Sequence, residues 1–206
     1  MKGDTYTIFY ATTLGVVCSL LLAGVSAVCM PYINANREAR KGRSILDALG
    51  MPVDDKLSAR DVLAAFDEHK VAKAEFGGME IYIYESSGGP LTAVPFQGQG
   101  LWGPIKGFIA LEPDRTTIRG VTFYEQQETP GLGGEIGTPD FRQRFRGRKI
   151  QAGDTSPGIR IIRGGGATGV NEVDAITGAT MTCEKVELMI NNAIRTILKE
   201  GMENGS

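Results

Sequence analysis

The stretch Asp174-Ala175-Ile176-Thr177-Gly178-Ala179-Thr180 places a hydroxyl where an amphipathic run begins, a position suited to holding an anion, phosphate above all. From Cys183 onward, Val186, Ile190, Ala193, Ile194 and Ile197 fall on one helical face. Glu184 and Glu187 lie early in that run and Arg195 and Lys199 late, as the helix dipole favours. Thr180 is therefore expected at or just before a helix N-terminus, beside backbone N–H groups that lack intrahelical partners. A plainer reading makes Thr180 or Thr182 a simple N-cap and Gly178 a turn glycine.

Two further stretches have chemical character. Glu128-Thr129-Pro130-Gly131 reads as a tight turn, because Pro130 fixes one torsion and Gly131 can take the positive φ of a type II turn. Leu132-Gly133-Gly134 then offers an apolar side chain and exposed backbone N–H groups. Gly100-Leu101-Trp102-Gly103 sets the single tryptophan between glycines, where it is either core or the wall of a pocket.

Asp-x-x-Thr-Gly-Ala-Thr ending at Thr180 and Glu-Thr-Pro-Gly-Leu-Gly-Gly starting at Glu128 together resemble the two motifs of the FMN-binding domain family, in the family's order and rough spacing. Similar segments run from Gly98–Gly103 through Glu112-Pro113-Asp114 and Tyr124–Ile136 to Thr180, and Ser44–Gly50 adds another. The chain looks shorter than family members in its middle, and Cys183 stands where serine is usual.

The resemblance implies that a flavin transferase, itself dependent on magnesium, moves FMN from FAD onto Thr180 through a phosphoester. Asp174, Thr177, Gly178 and Ala179 would be its recognition sequence. It also implies a cofactor-binding set of Thr177, Gly178, Ala179, Thr180, Glu128, Thr129, Leu132, Gly133 and Trp102, with an apolar surface and backbone groups for a flat isoalloxazine. No catalytic residue and no metal ligand is expected. Threonine is a poor nucleophile without activation, and no His or Lys adjoins Thr180, which suits an external transferase. Thr182 stays open as a second candidate for attachment.

The activity implied is that of an electron-carrying subunit in a sodium-translocating NADH:quinone reductase, where the cofactor does the redox chemistry. Partners would be the other membrane subunits. The alternatives are the flavoprotein subunit of an Rnf-type complex, or a membrane-tethered binding module in which Thr180 only caps a helix. A hydrolase is disfavoured, since no Gly-x-Ser-x-Gly elbow is present and the one histidine, His69, lies far from the Gly-rich half.

The elements that must position these residues follow from patterning. The chain has 206 residues, enough for one domain plus an attachment segment, and its net charge of -2 without a basic patch argues against nucleic acid. No charge occurs between Thr5 and Asn36, and Ile8 to Met30 is mostly apolar and long enough to span a bilayer. That run exceeds a signal-peptide h-region of about 7–15 residues, so a retained single-pass anchor is expected rather than a cleaved leader. Ala11, Gly15, Ser19, Ala23 and Ala27 form a small-residue ridge on the anchor, suited to packing against another membrane helix. Arg37, Arg40, Lys41 and Arg43 outnumber Lys2 in flanking charge, which favours the domain inside. The resemblance instead implies a bacterial inner (cytoplasmic) membrane protein with the flavin domain on the periplasmic side.

The expected fold class is α+β: one N-terminal transmembrane helix, then a mostly antiparallel sheet with flanking helices. The expected division is 1–33 anchor, 34–75 helical connector and 76–206 FMN-binding domain. Helices are predicted over 34–49, stopping at Gly50; after the capping signal Ser58-Ala59-Arg60-Asp61; and after Thr138-Pro139-Asp140, with Phe141 and Phe145 paired. Strands are predicted at 79–84, 91–96, 105–111, 118–124 and 158–162, with Pro113-Asp114-Arg115 a hairpin turn. His69 is expected in solvent. Gly164-Gly165-Gly166 is a flexible loop, not a dinucleotide fingerprint.

Overall fold

A computed structural model describes residues 2–203 apart from Pro52, Asp55, Lys56 and residues 151–157. Helix α1 runs over Lys2–Ala48 without interruption, through Pro31. At about 1.5 Å per residue it is close to 70 Å long, well beyond a bilayer core. It is the one described helix long and apolar enough to cross a membrane. Thr7, Thr12, Thr13 and Ser19 turn their hydroxyls back onto the carbonyls of Gly3, Ile8, Phe9 and Gly15 at 2.8–2.9 Å, so these polar groups are satisfied within the helix itself. The small-residue ridge is exposed along its length.

The same helix changes role after residue 38. Ile45, Leu46, Ala48 and Leu49 are 0–1% exposed and pack on the sheet. The hydroxyl of Ser44 donates to Thr122 Oγ1 at 2.7 Å, and that hydroxyl donates to the Ser44 carbonyl at 2.9 Å. Gly50, at φ +82°, ends the helix as predicted, and the Met51 N–H returns to the Leu46 carbonyl. Helix α2, Ala59–Glu68, starts at the predicted cap: the Asp61 N–H donates to Ser58 Oγ. His69 lies half-buried with its ring edge-on to Tyr84 at 6.3 Å, rather than fully in solvent.

Five strands follow as an antiparallel meander in sequential order: β1 Ala72–Phe76, β2 Met79–Ser86, β3 Gly89–Gln99, β4 Pro104–Leu111 and β5 Ile118–Glu125. β1 is an addition to the sequence reading. Its five residues alternate, but two of the three apolar ones are alanines, which give little strand signal; Gly77-Gly78, both at positive φ, form the two-residue hairpin that pairs Phe76 with Met79. The period of two sorts side chains cleanly. Tyr82, Leu91, Ala93, Phe108 and Ala110 face α1 and α2. Ile81, Val94, Phe96, Ile105, Ile109 and Val121 face the other layer.

That other layer contains a 3-10 turn Gly133–Gly137, a short helix α3 Pro139–Gln143 and the helix α4 Thr180–Glu203. Phe141 and Phe145 pair edge-on at 5.2 Å, and Val186, Ile190, Ala193 and Ile194 are buried against the sheet. Beside them β6 Arg160–Ile162 pairs in parallel with β7 Glu172–Asp174. β6 begins two residues later than expected, and β7 is a further addition; three residues show no usable period. The fold is α+β, with the sheet between two helical layers.

Candidate functional site

Three loops meet at the start of α4. The first joins β3 to β4. The Gly100 N–H donates to the Gly103 carbonyl at 2.8 Å, closing a tight turn with Leu101 and Trp102 at its tip. Trp102 is not core: it is 71% exposed, and Leu101 beside it is exposed as well.

The second loop is the turn Thr129–Leu132, closed by the Leu132 N–H on the Thr129 carbonyl at 3.1 Å, with Gly131 at φ +76° as a type II turn requires. The Thr129 carbonyl also accepts from Gly134 at 2.9 Å, and the Gly131 N–H donates to Glu135 Oε1 at 3.0 Å. Gly133 is buried, whereas Thr129 and Leu132 are exposed.

The third loop carries the threonines. The Ala179 N–H donates to the Ile176 carbonyl at 3.1 Å, with Gly178 at φ +80°, so Thr177 and Gly178 are the exposed tip of a second glycine turn. Arg144 Nη1 donates to the carbonyls of Asp174 (3.1 Å) and Ala175 (3.2 Å), bracing the loop from below. The Asp174 carboxylate accepts from the Ala167 N–H at 2.8 Å and so holds the glycine-rich loop 164–166 in place. Thr180 is the first residue of α4 and is partly exposed. Ala179 precedes it and accepts the first helical bond, from Cys183 at 3.0 Å. An alanine there has no oxygen to cap the first-turn N–H groups, so the plain N-cap reading of Thr180 does not hold: the residue lies inside the helix, not before it.

Glu128 fastens the loops together. It is 5% exposed, and its Oε1 accepts from the N–H groups of Leu101 (2.8 Å) and Trp102 (3.2 Å). Its Oε2 accepts from the hydroxyl of Thr182 at 2.7 Å. The close approach depends on glycine: a Cβ at Gly133 would lie 2.5 Å from Thr182 Oγ1, and one at Gly178 would lie 3.1 Å from the Leu132 side chain. The two motifs, more than forty positions apart in sequence, are thus in contact, and Leu132 lies against the tip that precedes Thr180. Trp102, Leu132 and Met181, one in each of these three segments, are all exposed and apolar.

Sequence reasoning placed Glu128 among cofactor contacts, but both its oxygens are engaged by the protein. Arg144 had no role in that reading, and Thr182 only that of a second attachment candidate; a long cation two elements away gives no local signal. Thr182 is 1% exposed and bonded to Glu128. Cys183 is buried, which pushes its thiol pKa up against the opposing influence of the Ile176 N–H and Arg144.

Residues 100–195 match the model of the FMN-binding domain, a span that contains all three loops and Thr180. Over this span, just under half of its length, the chain is similar to the FMN-binding domain family. The C-type subunit of the Na(+)-translocating NADH-quinone reductase of Pasteurella multocida is 29% identical to it, over 87% of this chain and 85% of that one. The corresponding protein of Vibrio anguillarum is 32% identical, over 76% and 64%. The crystal structure of the same component from Parabacteroides distasonis superposes with a TM-score of 0.71 at 26% identity, covering 82% of this chain and 94% of that one. These relatives are components of an oxidoreductase complex. The matched span has residues that fit the group: exposed apolar side chains, a hydroxyl, and a helix start whose N–H groups no side chain caps among the described residues.

Proposed function

We propose that this chain is a membrane-anchored flavoprotein subunit that relays electrons within a sodium-translocating NADH:quinone reductase, with FMN attached covalently through the phosphate to Thr180. The observation that carries this reading is the closure of three loops around Glu128, which leaves Thr180 outward-facing at an uncapped helix start. Bound FMN would supply the electron-carrying isoalloxazine; the chain binds, orients and shields it.

Each part then has a task. Thr180 Oγ takes the flavin phosphate from FAD: the new phosphorus–oxygen bond forms as the pyrophosphate bond breaks, AMP departs, and the hydroxyl proton goes to a base of the transferase. No described side chain bonds to that hydroxyl, so activation comes from the transferase. The first-turn N–H groups of α4 and its positive dipole end stabilise the phosphoester anion. Trp102, Leu132 and Met181 give the ring an apolar bed. Thr177 and Gly178, exposed at the turn tip, are where the transferase reads the chain, and Asp174 holds the loop behind them.

Helix α1 is read as a single membrane span with its small-residue ridge against a neighbouring subunit and the domain on the outer face. The outer-face placement rests on the resemblance and runs against the flanking charge of Arg37, Arg40, Lys41 and Arg43.

Coexpression with a flavin transferase, followed by intact-mass measurement of the protein and of Thr180→Ala, tests the attachment. The expected result is an added mass of FMN less one water in the parent and none in the variant. The same mass in both would move the attachment to another residue, and no added mass in either would leave a tethered module without covalent flavin.

A further inference from the structure

A second site lies on the opposite layer of the sheet, at the foot of α1. There α1 and the β4–β5 pair enclose a cleft of about 530 Å³ whose lining includes Arg37, Arg40, Lys41 and Lys106 against two carboxylates, Glu38 and Glu125. Lys106 pairs with Glu125 at 2.9 Å, and Lys41 with Glu80 at 3.2 Å. Arg37 and Arg40 have no ion-pair partner among the described residues, and both are exposed. Two guanidinium groups, one turn apart on a rigid helix, therefore border a polar cavity with surplus positive charge.

We propose that this cleft binds the phosphate headgroup of an anionic phospholipid in the membrane that α1 enters. The inference rests on reading α1 as a membrane span. Three considerations carry it. Arg37 is seven residues past the apolar run that ends at Met30, roughly 10 Å along the helix axis, and the headgroup layer occupies about 5–8 Å beyond the hydrocarbon face. An arginine stem reaches back toward that layer while keeping its charge in polar surroundings. The guanidinium fork matches phosphate oxygens in paired hydrogen bonds, and Arg40 stands one turn farther along the same face. Finally, Ile45, Leu46 and Ala48 of α1 are buried in the cluster on the sheet, so the cleft is held at a fixed height relative to the span. A headgroup bound there would tie the domain to the membrane at a second point, limiting its rotation about α1. A freely dissolved phosphate would lack that fixed depth and the local concentration a bilayer provides.

The test uses the full chain, with no flavin required, in nanodiscs of equal parts phosphatidylglycerol and phosphatidylcholine. Lipids retained after release are read by native mass spectrometry. The parent chain is expected to retain phosphatidylglycerol about tenfold over phosphatidylcholine, as two juxtamembrane arginines suffice to provide. Arg37→Gln with Arg40→Gln should abolish the preference, Lys106→Gln should weaken it, and Glu38→Gln should raise it. Arg146→Gln, elsewhere on the domain, should leave it unchanged. Equal retention of the two lipids, preference surviving in the double variant, or loss of the bound lipid to excess inorganic phosphate would each overturn the proposal. Failure of the chain to enter nanodiscs at all would overturn the membrane span with it. None of these outcomes touches the attachment at Thr180, which is read by flavin mass alone.

Discussion

The first turn of α4 has two faces with opposite characters. Outward lie Thr180 and Met181, preceded by the exposed tip Thr177-Gly178. Inward lie Ala179, Thr182 and Cys183, each no more than 4% exposed. Thr180 and Thr182 are the same residue type two positions apart, about 200° around the helix. One hydroxyl is presented at the surface; the other is committed to a buried carboxylate. The inner face secures three loops so that the outer face can be fixed in position without touching them itself. Positional accuracy at a cofactor site generally comes from such supporting contacts rather than from the contacting residues alone.

The largest effect expected from breaking this division is at Glu128. Glu128→Ala leaves the N–H groups of Leu101 and Trp102 and the Thr182 hydroxyl without their acceptor. Stranding those donors costs about 3 kcal/mol or more, a fall in Tm of roughly 6–12 °C for a chain of this size. Thermal unfolding of the detergent-solubilised chain measures it. A fall of under about one degree would mean that the carboxylate does not secure the loops. Loading of Thr180 by the transferase should slow in the same variant, because the turn tip loses its backing.

A smaller effect sharpens the comparison between the two threonines. Thr182→Val keeps the shape of the side chain and removes its hydroxyl, so Glu128 Oε2 loses its donor. The expected cost is about 1–2 kcal/mol, with the flavin mass on Thr180 retained in full. Loss of that mass in Thr182→Val, with the fold intact, would assign the attachment to the inner face and undo the distinction.

How much of this was legible in the sequence depends on the range of the signal. Caps and turns at Ser58, Thr138, Gly50 and Gly131 were readable because each is decided within four residues. The apolar face of α4 was readable from its period, and four of the five strands of the meander, β2 to β5, from theirs. β1 was obscured by Ala72 and Ala74, which carry little strand preference on its apolar side. The motifs singled out these loops, but not how the loops are held together. Glu128 looked like a cofactor contact because it opens a motif; its three donors come from residues 26 to 54 positions away, and no local pattern announces them. Arg144 was invisible for the same reason. The helix expected over 34–49 proved continuous with the apolar span before it, through Pro31.

The smallest stability effect should come from the outer face. Trp102 contributes its backbone N–H to Glu128 but leaves its side chain 71% exposed, so Trp102→Ala keeps the bond and discards only surface. Stability should change by no more than about 0.5 kcal/mol, in contrast to Glu128→Ala one hydrogen bond away. Flavin-loaded protein should nevertheless respond, because an indole against the ring quenches its fluorescence and shifts its absorbance, and removing it restores the emission of a more solvated flavin. The comparison is made on one sample by measuring Tm and flavin emission together. A large loss of stability would show that Trp102 belongs with the inner face, whereas unchanged emission would remove it from the flavin's bed and leave Leu132 and Met181 as the apolar surface.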